Sequence, residues 1–233
     1  MIPPATGAAS RWSDLRLRVV SAAVLLPVAL ACLFAGGWPW IGLVLAATVA
    51  LLWEWWRLWR LKPGSLPALT LLAGWLYLLL GAWSLSWLRS DPVAGLIDVL
   101  FLLIVVWSSD IGAYIFGRLL GGPKLAPAIS PGKTWSGALG GLVCAMAIGL
   151  LVTRLAAPGP VSHALLVAAA LSIASQLGDL LESALKRHFG VKDSSRLIPG
   201  HGGVFDRLDG VLAAAPVAVL LALALGPGVE LWR

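Results

Sequence analysis

Long apolar runs recur along almost the whole chain and alternate with short segments that carry most of the charged residues. A helix needs about 17–25 mostly apolar residues to cross a bilayer. The pattern therefore predicts an all-α polytopic integral membrane protein with about seven to nine transmembrane helices, because a longer run can hide an extra span. The predicted spans are residues 19–36, 38–56, 67–88, 93–117, 134–156, 162–185 and 210–226.

Composition supports this class. Of the 233 residues, 59% are hydrophobic and 12% are charged, which is about half the charged share of an average soluble domain. No stretch between the spans is long enough for a separate soluble domain. We therefore predict one membrane domain over residues 1–233, with few motifs in the helices of 1–95 and most polar motifs in 96–233.

The net charge of +6 allows two interpretations, nucleic-acid binding or membrane orientation. If the N-terminus is cytoplasmic and the spans alternate, 14 of the 17 Lys and Arg residues fall on the cytoplasmic side, and Arg89, Arg154 and Arg233 fall outside. Such a bias follows the positive-inside rule. It predicts a multi-pass protein of a bacterial inner membrane with a cytoplasmic N-terminus, and no nucleic-acid partner.

The first apolar run leaves two possibilities open. Arg11, Arg16 and Arg18 precede Val19–Ala35, an arrangement shared by signal peptides and first membrane spans. Small residues at Ala29 and Ala31 keep cleavage possible. We expect an uncleaved anchor, because cleavage would remove the cytoplasmic end of the chain.

Acidic residues gather on the predicted cytoplasmic face, although a carboxylate at the centre of a membrane helix costs about 2.5–3.5 kcal/mol. Asp179, Glu182 and Lys186 are spaced to share one face of a helix. Asp206 and Asp209 are three residues apart at the start of the last span. Two acidic helix ends that face each other suit Mg²⁺, which prefers hard oxygen ligands and substrate phosphates. The alternative is that these acids form ordinary ion pairs.

Three further segments are candidates for phosphate or substrate contact. The glycine-rich loop 190–203 contains Lys192 and His201, and its backbone N–H groups can wrap phosphates, although a flexible solvated loop is the alternative. Residues 130–135 include Lys133 and Thr134 but do not form a Walker A motif, because Pro127 stands where that motif needs glycine and no β-strand is expected before it. Asp110 lies late in the span 93–117 and is a candidate wall of a polar cavity.

The segment from Ser183 to Asp209 resembles the signature of phosphatidate cytidylyltransferases, also called CDP-diacylglycerol synthases. The resemblance extends to residues 110–114 and 130–135. Ser136 departs from it, because many relatives are expected to have an acidic or amide residue there. The chain is also short for the family, so an N-terminal span is expected to be missing. The matching signature positions are Ser183, Lys186, Arg187, Lys192, Asp193, Ser195, Pro199, His201, Gly202, Gly203, Asp206, Arg207 and Asp209.

The resemblance implies a Mg²⁺-dependent transfer of the cytidylyl group from CTP to phosphatidic acid, with pyrophosphate leaving. It also implies a dinuclear centre, with a monovalent cation such as K⁺ as the candidate second ion, and a homodimer. On this basis Asp179 and Asp206 are expected as metal ligands, with Asp209 and Glu182 in support. The expected catalytic residues are Asp179, Lys186, Asp206 and Asp209. The expected substrate contacts are Lys133, Thr134, Arg187, Lys192, His201 and Asp110.

Two other functions remain as alternatives. A CTP-dependent kinase of a membrane alcohol belongs to the same broad superfamily, but the complete signature through Asp209 argues against it. An ion-coupled transporter would have acids near the midplane and repeated halves with broken helices. Here the acids lie towards one side and no repeat is visible.

Overall fold

Seven long helices form the part of the chain that the computed structural model describes, residues 7–156 and 159–233, with side chains from residue 16 onward. All seven contain a segment long and apolar enough to cross a membrane, which confirms the predicted class of multi-pass helical membrane protein. The side chain of Arg11 lies outside the described residues. The helices are α1 (Gly7–Ala35), α2 (Gly37–Arg60), α3 (Ala68–Ser90), α4 (Gly95–Leu120), α5 (Trp135–Ala156), α6 (Val161–His188) and α7 (Phe205–Leu225).

Several helices are longer than the apolar runs that predicted them. The structure extends α6 to His188 and starts α7 at Phe205, whereas hydropathy ended the first at residue 185 and started the second at 210. The added turns carry Lys186, Asp206 and Asp209, which hydropathy cannot include in a span. These three polar residues therefore lie on regular helix and not in loops.

A short β-hairpin after α4 is the element that the sequence did not predict. Strands β1 (Lys124–Ala126) and β2 (Ser130–Thr134) are antiparallel, and Lys124 pairs with Thr134. The all-α class holds for the chain as a whole, but the expectation that no strand lies next to residues 130–135 is wrong. Strand β1 has only three residues, and Pro131 and Gly132 in β2 hide the alternation of apolar and polar residues that normally identifies a strand.

Helices α4 and α5 pack closely because glycines line their contact. A Cβ atom added to Gly141 would lie 2.7 Å from the carbonyl oxygen of Ser109 and 3.1 Å from the Cβ of Ala113, and one on Gly137 would lie 2.8 Å from the carbonyl oxygen of Ala113. Small residues at such contacts let the backbones of membrane helices approach each other. This packing fixes the end of α4 that carries Asp110.

We expect Gly141→Ala to lower the stability of the folded protein by about 1–3 kcal/mol, the usual cost of overpacking. The new methyl group would meet backbone atoms, which cannot move aside without shifting α4. Thermal unfolding in detergent measures the effect. Gly42→Ala is the control, because nothing lies within 4 Å of a Cβ at Gly42. Equal unfolding temperatures for the two variants would contradict the packing described.

Two carboxylates near the start of α4 hold the C-terminal segment. Asp91 accepts a hydrogen bond from the backbone N–H of Gly228 at 2.7 Å, and Asp98 accepts one from Leu231 at 2.9 Å. The backbone N–H of Ala94 contributes most to lowering the pKa of Asp91 below its ordinary value. Asp98 had no role assigned from the sequence, and the structure gives it this tethering contact.

Candidate active site

Helices α6 and α7 come into direct contact at the predicted acidic segment. A Cβ atom added to Gly178 would lie 2.6 Å from the carbonyl oxygen of Asp209 and 2.5 Å from the Cβ of Ala213. Only glycine allows this approach, and Asp179 follows it directly in sequence. The two acidic helix segments therefore face each other, as the spacing of their carboxylates predicted.

Three carboxylates form one group at this contact. Each of Asp179, Glu182 and Asp209 offers an oxygen atom, and these atoms all lie within 4.8 Å of one another. Glu182 is 1% exposed, and its Oε1 has no hydrogen-bond partner among the described residues. A buried carboxylate oxygen without a donor is costly. The donor set fits a hard divalent cation such as Mg²⁺.

Lys186 joins this group to the next carboxylate. Its ammonium lies 2.5 Å from Oε2 of Glu182, one turn earlier on α6, and 2.8 Å from Oδ1 of Asp206 on α7. Both carboxylates are almost completely buried, and the lysine is mostly buried. Lys186 therefore balances two charges that would otherwise be isolated from water.

Asp206 lies outside the three-carboxylate group. Its Oδ2 accepts hydrogen bonds from the backbone N–H and the hydroxyl of Ser194, both at 2.9 Å, and from the N–H of Gly203 at 2.7 Å. Its Oδ1 is paired with Lys186. These contacts tie the start of α7 to the loop between α6 and α7. The role of Asp206 as a metal ligand stays a prediction.

Two adjoining cavities meet at the carboxylates. An acidic cavity of about 240 Å³ is lined by Asp110, Asp179, Glu182, Lys186, Asp193, Asp206, Arg207 and Asp209. A larger, mainly apolar cavity of about 570 Å³ is lined by α4, the hairpin, α5 and α6. Asp110 and Asp179 line both. A molecule that occupies the larger cavity would therefore border the acidic one.

The hairpin brings Lys133 to the boundary between the cavities. Its ammonium lies 2.6 Å from Oδ2 of Asp179. Thr134 is buried, and its hydroxyl accepts the N–H of Gly137 at 3.1 Å, which caps the start of α5. Ser136, the position that departs from the family pattern, donates to the carbonyl oxygen of Gly121. Lys133 and Thr134 thus both line the larger cavity, and the hydroxyls of Thr134 and Ser136 also hold the hairpin in place.

Three further predicted contacts line neither cavity. Arg187 donates from Nε to the carbonyl oxygen of Ile129 at the hairpin turn, at 3.2 Å. His201 places Nδ1 2.8 Å from the hydroxyl of Ser21 on α1. Lys192 is exposed in the loop. Their roles in phosphate binding stay predictions.

Glu54 on α2 is a residue of this region that the sequence analysis missed. It is completely buried and accepts hydrogen bonds from the hydroxyl of Ser195 at 2.5 Å and from the N–H groups of Val204 and Phe205 at 2.9 and 2.8 Å. The available signal was a lone carboxylate within the apolar segment 53–56. The cost of burying a charge, which singled out the other acids, applies equally to Glu54.

Comparison with known proteins identifies the family. The profile described as the cytidylyltransferase family matches residues 16–89 and 75–225. The chain belongs to the cytidylyltransferase family. The two matched ranges contain all of the cavity-lining carboxylates described above. The resemblance predicted from residues 183–209 is thus confirmed.

Curated members of the cytidylyltransferase family are similar over much of the chain. A phosphatidate cytidylyltransferase of Brucella suis biovar 1 (strain 1330) is 52% identical over 181 residues, which cover 77% of this chain and 64% of the relative. One of Staphylococcus haemolyticus (strain JCSC1435) is 47% identical over 138 residues, 59% of this chain and 52% of the relative. The chain therefore matches less than two thirds of the length of these relatives.

Proposed function

We propose that this chain transfers the cytidylyl group of CTP to phosphatidic acid, giving CDP-diacylglycerol and pyrophosphate for phospholipid synthesis. The observation that carries the proposal is the group of Asp179, Glu182 and Asp209 where a polar and a mainly apolar cavity meet. A reaction between a soluble nucleotide and a lipid needs both environments side by side. The similarity to phosphatidate cytidylyltransferases supports the choice of substrates.

The chemistry demands little of a general base. A phosphate monoester has a second pKa of about 6, so the phosphate of phosphatidic acid is largely dianionic at neutral pH and can attack the α-phosphorus of CTP directly. The difficulty is to bring two anions together and to neutralise charge as pyrophosphate leaves. Asp179, Glu182 and Asp209 would hold a divalent cation, and that ion would supply this neutralisation.

The side chains around the cation site would position the phosphates. Lys133 extends from the hairpin to Asp179, where its ammonium can contact a phosphate that enters the acidic cavity. Lys186 stays paired with Glu182 and Asp206 and holds these carboxylates in place. Asp110 faces both cavities and would orient the groups that meet there.

We place the site on the cytoplasmic side of a bacterial inner membrane, which the distribution of Lys and Arg supports. Mg²⁺ is the proposed divalent ion, with a monovalent ion such as K⁺ as the second. We also propose a homodimer built from a single membrane domain per chain.

The direct test incubates the purified chain in detergent with CTP, phosphatidic acid and Mg²⁺ and follows both products. We expect pyrophosphate and a cytidine-containing lipid in equal amounts, and neither when one of the three components is left out. A folded protein that forms no cytidine-containing lipid under these conditions would rule out the proposal.

A further inference from the structure

Glu54 connects the N-terminal helices to the loop that precedes α7. It lies near the end of α2, about 150 residues away in sequence from the groups it contacts. One oxygen accepts the hydroxyl of Ser195 and the N–H of Val204, and the other accepts the N–H of Phe205. The hydroxyl of Ser194 lies 3.2 Å from the second oxygen. Three donors thus converge on one buried carboxylate, and the Ser194 hydroxyl lies beside it.

The carboxylate acts as an N-terminal cap supplied by another helix. The first N–H groups of any helix have no partner within it, and α7 has no side-chain cap of its own. Glu54 satisfies the N–H groups of Val204 and Phe205 there. Since the N-terminus of a helix carries partial positive charge, α7 also offsets the negative charge of Glu54. Among the described residues, Glu54 has no salt bridge.

Two connected paths lead from Glu54 to the carboxylates of the cavity. Along α7, Asp209 follows the capped residue Phe205 by one helical turn. Through the loop, Ser194 contacts both Glu54 and Asp206, and Asp206 holds Lys186. Lys186 in turn pairs with Glu182.

Two neighbouring residues close the same region. Arg57, one turn after Glu54, donates to the carbonyl oxygen of Ser194 at 2.7 Å. A Cβ atom added to Gly203 would collide with the hydroxyl of Ser194 and with Oε1 of Glu54, so the loop fits closely over the carboxylate. The end of α2 therefore holds the loop between α6 and α7 at both Ser194 and Gly203.

We infer that Glu54 is a positioning residue, which sets the affinity of the Asp179, Glu182 and Asp209 group for a divalent cation by holding the start of α7 and Ser194 in place. It does so without contacting the cation or the substrates. The consequence for turnover rests on the proposed function; the consequence for cation affinity can be measured without it.

Glu54→Gln is the informative variant because it preserves shape and removes one acceptor. In either orientation of the amide, its NH₂ group would face a backbone N–H of α7, which is also a donor. Substituting a residue that hydrogen-bonds to a metal ligand typically changes the metal affinity or the activity of an enzyme by about 10–100-fold. We expect the dissociation constant of Mn²⁺, measured by electron paramagnetic resonance on the folded full chain in detergent, to rise by about tenfold or more. Turnover should require a correspondingly higher Mn²⁺ concentration and should recover largely when Mn²⁺ is saturating.

Thr48→Val is the matched control, since Thr48 is also buried on α2 but donates only to the carbonyl oxygen of Val44 in its own helix. It should bind Mn²⁺ like the wild type. Ser195→Ala removes a single donor to Glu54 and should raise the dissociation constant in the same direction by a smaller factor. This variant decides the matter if Glu54→Gln does not fold.

Wild-type affinity in a folded Glu54→Gln, or in Ser195→Ala when the first variant is unfolded, would overturn the inference. A wild-type chain that binds no Mn²⁺ would overturn it as well. The proposed function is tested by a separate measurement. It fails if the wild-type chain forms no cytidine-containing lipid. A wild type that is active, together with variants of unchanged Mn²⁺ affinity, would refute the role of Glu54 alone.

Discussion

Asp209→Asn and Asp179→Asn are each expected to lower turnover about 10³-fold, because a divalent ion contributes several kcal/mol of charge stabilisation in phosphoryl chemistry. Each substitution removes one charge from a group whose oxygens lie within 4.8 Å of one another. The rate of pyrophosphate release in the presence of CTP, phosphatidic acid and Mg²⁺ measures the loss. The variants should remain folded, since asparagine keeps the shape of the side chain.

Asp98→Asn is the control for both substitutions. Asp98 is a buried carboxylate on α4, but it accepts the N–H of Leu231 and lines neither of the two adjoining cavities. The amide oxygen of asparagine can still accept that hydrogen bond, so turnover should stay near the wild-type rate. Near-normal rates for Asp179→Asn or Asp209→Asn would remove that residue from the proposed cation site.

Lys186→Met is expected to destabilise the folded protein by about 3–5 kcal/mol, the usual result of removing one partner of a buried ion pair. Methionine fills a similar volume but leaves Glu182 and Asp206 without their shared cation. Thermal unfolding in detergent without divalent ions measures the loss. Lys192→Met is the control, because Lys192 is exposed and its charge interacts mainly with water. An unfolding temperature for Lys186→Met equal to that of the control would contradict the role given to this lysine.

The positions of the helices follow from the sequence because each span needs an apolar length set by the bilayer. The predicted runs 67–88 and 134–156 differ from α3 and α5 by at most two residues at either end. Hydropathy fails where helices continue into polar sequence, as in the first turn of α7. The hairpin at 124–134 was missed because its strands are short and β2 contains proline and glycine.

The α6 half of the site was predictable from local spacing. Asp179, Glu182 and Lys186 share one helix face by geometry alone, and the Glu182–Lys186 pair follows from it. Contacts between distant segments were not predictable in this way. Spacing could not show that Asp209 joins the α6 carboxylates while Asp206 turns to Ser194, or that Glu54 reaches the same loop from α2.

The central claim, that the chain moves a cytidylyl group and not a terminal phosphate, is tested most directly with two preparations of CTP, one labelled at the α-phosphorus and one at the γ-phosphorus. With phosphatidic acid and Mg²⁺, we expect the α-label to enter the lipid fraction and the γ-label to leave as pyrophosphate, and Asp209→Asn should slow both by about 10³-fold. Transfer of the γ-label to lipid, or the absence of the α-label from lipid with folded wild-type protein, would contradict the claim.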